Sequence, residues 1–111
     1  SMRAKYLPDG KSELGGQDVF VKNNEARLAD GSLAGSILKM NDAVKNVMDF
    51  AAITIVDAVY MASTTPALNL GLESKGMIKE GYDADLTVLD DKFQVVMTIV
   101  GGKVLYERGN E

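Results

Sequence analysis

The side chains of this sequence that could do chemistry are carboxylates, lysines and hydroxyls, because histidine and cysteine are both absent from its 111 residues. Histidine is the commonest general base and metal ligand. Its absence excludes a Ser-His-Asp arrangement and a histidine-based zinc site, and the absence of cysteine excludes disulfides and thiolate chemistry. A metal would need carboxylates alone, and these are scattered along the chain. We therefore predict no metal site among these residues.

The carboxylate pair with the most suggestive spacing is Asp83 and Asp85. Residues two apart share one face of a strand, and paired carboxylates can do acid–base or metal chemistry. The alternative is that they bond backbone N–H groups in a turn that enters a strand. We favour the second interpretation.

A second candidate is the stretch from Leu28 to Met40, in which the small residues of Asp30-Gly31-Ser32 and Leu33-Ala34-Gly35-Ser36 lie between apolar neighbours. Aspartate before glycine is typical of a turn, and we favour that role for Asp30 over a catalytic one. Ser36 suits the N-cap of a following helix, and free N–H groups at a helix start could attract an anion. The stretch is either a plain connection or the rim of a binding site.

The elements that position these residues change character along the chain. Residues 2–16 are polar and rich in turn formers. A strand is predicted by the β-preferring residues Val19-Phe20-Val21, and a tight turn is predicted by Asn23-Asn24. We therefore expect a strand pair over 17–29. Apolar residues three and four apart predict helices over 37–71. A second helix, with Thr54 and Asp57 as its capping box, should be largely buried because it is apolar almost all round.

The last third of the chain returns to strands, which we predict over 76–108. Gly101-Gly102 predicts a two-residue hairpin. The simplest architecture pairs the N-terminal hairpin with the C-terminal strands in one sheet of an α+β fold, with two to three helices between. We expect one fragment domain over residues 2–111. Ser1 is typical of a tag remnant before a start methionine, and no fold prediction depends on it.

Net charge and hydropathy limit the partners and the location that we expect for this chain. The net charge is −4, and no basic cluster is present. A nucleic acid or an anionic membrane would need a basic footprint, so neither is an expected partner. No window is long and apolar enough for a membrane span, and the N-terminal residues lack the apolar core of a signal peptide. We expect a cytoplasmic protein.

Two sets of residues resemble a known family. Three segments resemble the C-terminal part of the N-acetylglucosamine-6-phosphate deacetylases: Gly15-Gly16-Gln17, Ala26-Arg27-Leu28-Ala29-Asp30-Gly31-Ser32-Leu33-Ala34-Gly35-Ser36, and Ala62-Ser63-Thr64-Thr65-Pro66-Ala67. The segments 76–86 and 100–104 resemble the tail signature of the wider amidohydrolase superfamily. The resemblance covers residues 2–108.

The resemblance implies a fold and a reaction for the whole enzyme. The family folds as a (β/α)₈ barrel with a small β-sandwich built from both ends of the chain, and this chain would supply the last barrel helices and sandwich strands. The reaction is amide hydrolysis that releases acetate and glucosamine 6-phosphate, with a divalent metal that activates water. The family's metal ligands and proton-transferring aspartate lie upstream, so no catalytic residue is carried over. The resemblance implies a substrate-side loop over residues 30–36 and places Leu33, Ala34, Gly35 and Ser36 near the substrate.

Three functions stay open at this point. The first is the C-terminal part of a metal-dependent amino-sugar deacetylase of carbohydrate metabolism, inactive as this chain alone. The second is a non-catalytic, β-rich module that self-associates through apolar surface left exposed without the barrel. The third is a fragment of another amidohydrolase, such as a dihydroorotase-like or deaminase-like enzyme. Whether the isolated chain is an enzyme is thus uncertain, and we expect an oligomer.

Overall fold

The computed structural model describes residues 1–109, which form two compact units, Ser1–Lys39 and the part of the chain that begins at Met40. The predicted α+β class is confirmed. The single predicted sheet is wrong, because the described strands form one four-stranded and one three-stranded sheet. Every strand pairs with a neighbour in sequence, so each sheet is completed by short turns within its own unit. The single fragment domain expected over residues 2–111 stays a prediction, and its last two residues lie outside the described ones.

The first unit is an antiparallel meander in which the strands lie in chain order. The strand pair predicted over 17–29 is present, with Lys22 opposite Glu25 across a two-residue turn. Asn23 and Asn24 form that turn with φ angles of 53° and 62°, a left-handed conformation that asparagine tolerates. The strands are β1 (Gly10–Leu14), β2 (Gln17–Lys22), β3 (Glu25–Leu28) and β4 (Leu33–Gly35).

The core of the first unit forms on one face of this sheet. Val19 and Val21 are buried and Phe20 between them is exposed, as the two-residue period of a strand requires. Met2 and Ala4 are buried against them, although the sequence marks residues 2–16 only as polar turns. Their burial was not predicted because two apolar residues show no period. Strand β1 was missed for a related reason, since it is held by pairing with β2 and has no buried residue.

The helices of the second unit occupy most of the range predicted over 37–71, but the first begins at Met40. The N-cap prediction for the second helix is confirmed, because Thr54 Oγ1 accepts a hydrogen bond from the Asp57 N–H at 3.2 Å. The second and third helices run on through one π-helical turn. The segments are α1 (Met40–Ala51), α2 (Ile55–Val59), the π-helical turn (Tyr60–Thr64) and α3 (Thr65–Asn69).

The prediction that the second helix is largely buried is wrong. Along α2 only Ala58 is buried, and Val56 is 73% exposed. A helix that is apolar all round needs neighbours on every side. In the part of the chain that the structure describes, neighbouring residues pack only against the face of α2 that carries Ala58. Within the same residues, no helix is long and apolar enough to cross a membrane.

The second unit ends in an antiparallel sheet that occupies the later part of the range predicted over 76–108. Gly101 and Gly102 form the predicted hairpin turn with φ angles of 55° and 76°. A side-chain bond from Asn41 Nδ2 to the Phe93 carbonyl, 2.8 Å long, joins α1 to the turn before the second of these strands. The strands are β5 (Leu86–Leu89), β6 (Val95–Val100) and β7 (Lys103–Glu107).

Candidate functional site

The turn that precedes the predicted substrate-side residues is fixed by Asp30. Its carboxylate accepts hydrogen bonds from the Ser32 N–H at 2.9 Å and from the Ser32 hydroxyl at 2.6 Å. These bonds lower the pKa of Asp30, the hydroxyl first. The guanidinium of Arg27 also donates to the Gly31 carbonyl at 2.7 Å. Asp30 is thus a turn residue, as the sequence predicted, and its carboxylate is occupied by hydrogen bonds within the turn.

The four predicted substrate-side residues, Leu33, Ala34, Gly35 and Ser36, lie on and just after the edge strand β4. Leu33 is 69% exposed, whereas Ala34 is half-buried against the core of the first unit. Gly35 lies beside Met2, whose sulfur is 3.4 Å from where a Cβ on Gly35 would stand. The loop therefore presents one large apolar side chain, Leu33, on a backbone that the sheet holds.

Ser36 does not cap a helix. Its hydroxyl accepts a hydrogen bond from the Leu38 N–H at 3.1 Å, and its carbonyl accepts one from the Met2 N–H at 2.8 Å. Helix α1 begins only at Met40. The local serine turn and the contact with Met2 keep this stretch extended, because both bonds favour a non-helical backbone. The suggestion that free helical N–H groups at Ser36 attract an anion is consequently wrong.

A charged cluster forms in the second unit around Lys75. Its ammonium contacts the carboxylates of both Asp83, at 2.9 Å, and Asp85. Asp83 also accepts from the Ser74 hydroxyl at 3.0 Å, and Asp85 accepts from the Gly101 N–H at 2.8 Å. The preferred interpretation of Asp85, a bond to a backbone N–H at the start of a strand, is confirmed. Asp83 instead binds side chains.

The charges in this cluster suit a structural role. The Lys75 side chain lowers the pKa of Asp83 and of Asp85, and hydrogen bonds from Ser74 and Gly101 add to this. The two carboxylates raise the pKa of Lys75 in return, Asp85 first. A proton donor or acceptor works best with a pKa near the ambient pH. All three groups are displaced away from neutrality, so none is tuned for acid–base catalysis at pH 7.

Sequence reasoning missed Lys75 and Thr64, which hold the cluster's loop in place. Thr64 is buried, and its hydroxyl donates to the Gly76 carbonyl at 2.6 Å. Gly76 has a φ of +87°, and a Cβ there would lie 2.7 Å from the Ala67 methyl group. A lysine and a glycine in a turn are commonplace, and only the fold brings them against the helix. The one available signal was the Lys75-Gly76 pair shortly before two aspartates.

An open pocket of about 460 Å³ lies beside this cluster, within the second unit. Its walls are mostly apolar and come from α2, from the loop before β5 and from Leu86. Lys75, Asp83 and Asp85 supply its charged rim, and Tyr60 and Ser63 its hydroxyl groups. The pocket thus has apolar walls and a charged rim. The three charges of the rim pair with one another, so they are largely satisfied within the chain.

The acidic residues do not fit a metal centre. Among residues 1–109, no three side chains of the His, Cys, Asp and Glu types converge as metal ligands would. The nearest carboxylate pair, Asp83 and Asp85, is already bound to a cation, Lys75. A catalytic metal needs several converging ligands and an open position for water or substrate. The described carboxylates therefore do not fit a catalytic metal in this arrangement.

Comparison with known proteins identifies the class. The model of the amidohydrolase family matches residues 22–105, and the chain belongs to that family.

The chain is similar over nearly its whole length to named enzymes of this class. It is 42% identical to the N-acetylglucosamine-6-phosphate deacetylase of Lysinibacillus sphaericus, over 99% of this chain and 28% of that protein. It is 41% identical to the enzyme of the same name from Bacillus subtilis, over 96% of this chain and 27% of that protein. The crystal structure of the Thermotoga maritima N-acetylglucosamine-6-phosphate deacetylase matches with a TM-score of 0.86 at 42% identity, over 96% of this chain and 30% of that one. The chain thus spans less than a third of the length of these relatives.

Proposed function

We propose that this chain is the C-terminal part of a metal-dependent N-acetylglucosamine-6-phosphate deacetylase and has no deacetylase activity on its own. The observation that carries the proposal is the near-complete coverage of the chain by less than a third of each relative, at 41–42% identity. A divalent metal would be bound by residues outside this chain. The alternative of another amidohydrolase is less favoured, because the three relatives at 41–42% identity bear one name, whereas the N-acetylgalactosamine-6-phosphate deacetylase of Escherichia coli O157:H7 is 34% identical to this chain.

Within such an enzyme, we propose that Leu33, Ala34, Gly35 and Ser36 form part of the substrate rim. Two features support this role. Leu33 is exposed although the strand beneath it is held by pairing with β3. Strand β4 also lies at the edge of its sheet, where main-chain groups are accessible to hydroxyl and amide groups of a sugar. The rim would position substrate, and the reacting groups would come from elsewhere.

The test of the proposed function is a chimera. Residues 2–109 replace the matching 27% of the Bacillus subtilis relative, and acetate release from N-acetylglucosamine 6-phosphate is measured with added zinc. We expect the chimera to release acetate and the isolated chain to match a blank without protein. A folded chimera without activity would contradict the assignment, and turnover by the isolated chain would contradict its predicted inactivity.

The rim is tested in the same chimera. Leu33→Ala should raise KM about tenfold with little change in Tm, because a residue that contacts only bound substrate contributes to binding. Leu105→Ala, on the exposed strand β7, is the matched control and should leave KM unchanged. Equal effects of the two substitutions would remove Leu33 from the rim.

The isolated chain should also self-associate, and a specific observation favours this. Among the described residues of the second unit, the only buried apolar side chains are the small ones Val44, Ala58 and Ala67. Large apolar side chains stand exposed on its helices and strands, and such surface is normally covered by a partner. Neither a nucleic acid nor a membrane is the proposed partner; a second copy of the chain is.

A further inference from the structure

We propose that the side chains of Lys5, Tyr6 and Lys39 form a binding site for a small phosphate-bearing molecule. All three lie in the first unit, and the proposed deacetylase function gives none of them a role. The Nζ atom of Lys5 is 5.4 Å from the centre of the Tyr6 ring, and that of Lys39 is 4.8 Å from it. An aromatic ring attracts an ammonium group that lies within about 6 Å of its centre. We call these three residues the Lys-Tyr-Lys cluster.

The two ammonium groups of the cluster are not neutralised by the chain. Among residues 1–109, neither lysine forms an ion pair with a carboxylate, whereas Lys11 in the same unit pairs with Asp18 at 2.7 Å. The segments 1–8 and 32–39 together contain three basic residues and no acidic one, in a chain whose net charge is −4. Two like charges on one ring repel each other, and a bound anion would relieve that repulsion.

The backbone fixes the two lysines relative to each other. The Met2 N–H donates to the Ser36 carbonyl at 2.8 Å, and the Lys5 N–H donates to the Met2 carbonyl at 3.1 Å. Met2 is buried in the core of the sheet, and Ile37, two residues before Lys39, packs against the same core. The cluster is therefore ordered before any ligand arrives, and such a site loses little conformational entropy on binding.

Tyr6 has a backbone conformation that tyrosine rarely adopts. Its φ angle is +69°, and the residue is 70% exposed. A positive φ at a bulky residue is an outlier, and strain of this kind is concentrated at functional sites. Burial of the ring does not offset the strain, because most of the residue faces water. The contacts that the ring does make are those with the two ammonium groups, so its role is to hold them together.

The donors of the cluster define the ligand class. Each ammonium group has three N–H donors and no acceptor, and the hydroxyl on the Tyr6 ring is a further donor. A phosphate group offers several acceptor oxygens and a charge near −2 at neutral pH, so it gains from both ammonium groups more than a single carboxylate does. The phosphate could belong to inorganic phosphate or to a phosphorylated sugar. The chemistry that the cluster recognises is the same in both.

The experiment uses the full chain, because the whole cluster lies within its first unit. Inorganic phosphate is titrated into the chain at constant ionic strength, set with sodium chloride, and NMR follows the tyrosine ring protons. We expect saturable shifts at Tyr6 and none at Tyr82, whose ring has one lysine, Lys79, at 5.6 Å. Lys39→Gln should weaken phosphate binding about tenfold, because one of two charged donors is lost. Lys79→Gln removes the same charge from the other lysine–tyrosine pair and should leave the binding unchanged.

A second variant tests the strained residue. Glycine adopts a positive φ without strain, so Tyr6→Gly should weaken phosphate binding about tenfold while the Tm does not fall. Phosphate binding equal to that of the parent chain in Tyr6→Gly or in Lys39→Gln would overturn the proposal. A lower Tm in Tyr6→Gly would show that the ring stabilises the fold, and would count against a conformation kept for binding.

Further ligands identify the source of the phosphate. If glucosamine 6-phosphate binds at least as tightly as inorganic phosphate, the site takes phosphorylated sugars; if it binds more weakly, free phosphate is the ligand. N-acetylglucosamine, which has no phosphate, should shift nothing at Tyr6, and shifts equal to those of phosphate would overturn the proposal. Tighter binding of a polyglutamate peptide would also overturn it, because the cluster would then serve an acidic protein segment. None of these results depends on acetate release, so failure here leaves the proposed deacetylase function standing.

Discussion

Single residues in the second unit show how a loop can be rigid without a regular element. Gly76 joins two requirements that no other residue type meets, a positive φ and a close approach to Ala67 and to the backbone of Ser63 and Thr64. Gly81 shares the first requirement, with a φ of +84°, but nothing lies within 4 Å of its would-be Cβ. Comparing substitutions at the two glycines therefore distinguishes the cost of a positive φ from the cost of a steric clash.

Gly76→Ala should lower the free energy of unfolding by about 2–4 kcal/mol, because it adds a steric clash to the strain of a positive φ. Gly81→Ala is the control and should lower it by about 1–2 kcal/mol, from strain alone. Urea unfolding of the two variants and the parent protein measures both. Equal losses would show that the space beside Ala67 is not as tight as the structure has it.

The cluster around Lys75 predicts a defined pH dependence. The folded-state pKa of Asp83 and of Asp85 is lowered from the ordinary 3.8, so their contribution to stability is present above about pH 4 and is lost as the pH falls through the lowered values. The pKa of Lys75 is raised from 10.5, so its contribution is present below that pH and is lost as the pH rises through the raised value. The cluster is fully charged between these limits.

Lys75→Met should raise the pKa of both carboxyl groups, because the Lys75 side chain is the largest influence that lowers them, while the bonds from Ser74 and Gly101 stay. NMR titration of the carboxyl carbons measures this shift. Lys11→Met, which removes an ion pair with Asp18 in the first unit, is the control and should leave both values unchanged. If Lys75→Met leaves the pKa of both groups where it was, the ion pairs contribute nothing.

At the scale of elements, the sequence predicted correctly those turns and caps that depend on only a few adjacent residues. Asn23-Asn24, Gly101-Gly102 and the Thr54 cap each depend on backbone preferences of one or two residues, and each is found where the sequence placed it. The start of α1 was misplaced because Ser36 has two competing uses, as a helix cap and as a local turn. Its carbonyl bond to Met2, thirty-four residues away, decides between them, and no local pattern records that contact.

The Thr54 cap yields a prediction for the helix it begins. Thr54→Ala should lower the free energy of unfolding by about 1 kcal/mol, because the N–H of Asp57 loses its acceptor. Thr54→Ser keeps a hydroxyl in the same place and should keep most of the stability. Thermal unfolding followed by circular dichroism compares the three proteins. A serine variant as unstable as the alanine variant would point to packing of the threonine methyl group as the cause.

At the scale of the whole molecule, the sequence predicted the class of fold but misjudged what covers its apolar residues. Because α2 is apolar almost all round, the sequence predicted that it is largely buried, yet Val56 and Ile55 are exposed in this chain. A helix that is apolar almost all round needs apolar neighbours on every side, and the described residues cover only part of α2. The candidate site was limited in the same way: resemblance pointed to residues 33–36, and nothing in the first unit completes a reaction centre around them.

The exposed apolar surface therefore predicts association of the isolated chain. Sedimentation equilibrium at micromolar concentration should give a mass well above 11.9 kDa, and the mass should not fall when sulfate is added, because that salt strengthens apolar burial while it screens charges. The double variant Val56→Asp with Ile78→Asp should shift the equilibrium toward the monomer, since charges on both exposed positions oppose their burial. Lys92→Asp, which adds the same negative charge on the exposed turn between β5 and β6, is the control. A monomer mass for the parent chain would contradict self-association, and an unchanged oligomer in the double variant would place the contact on another surface.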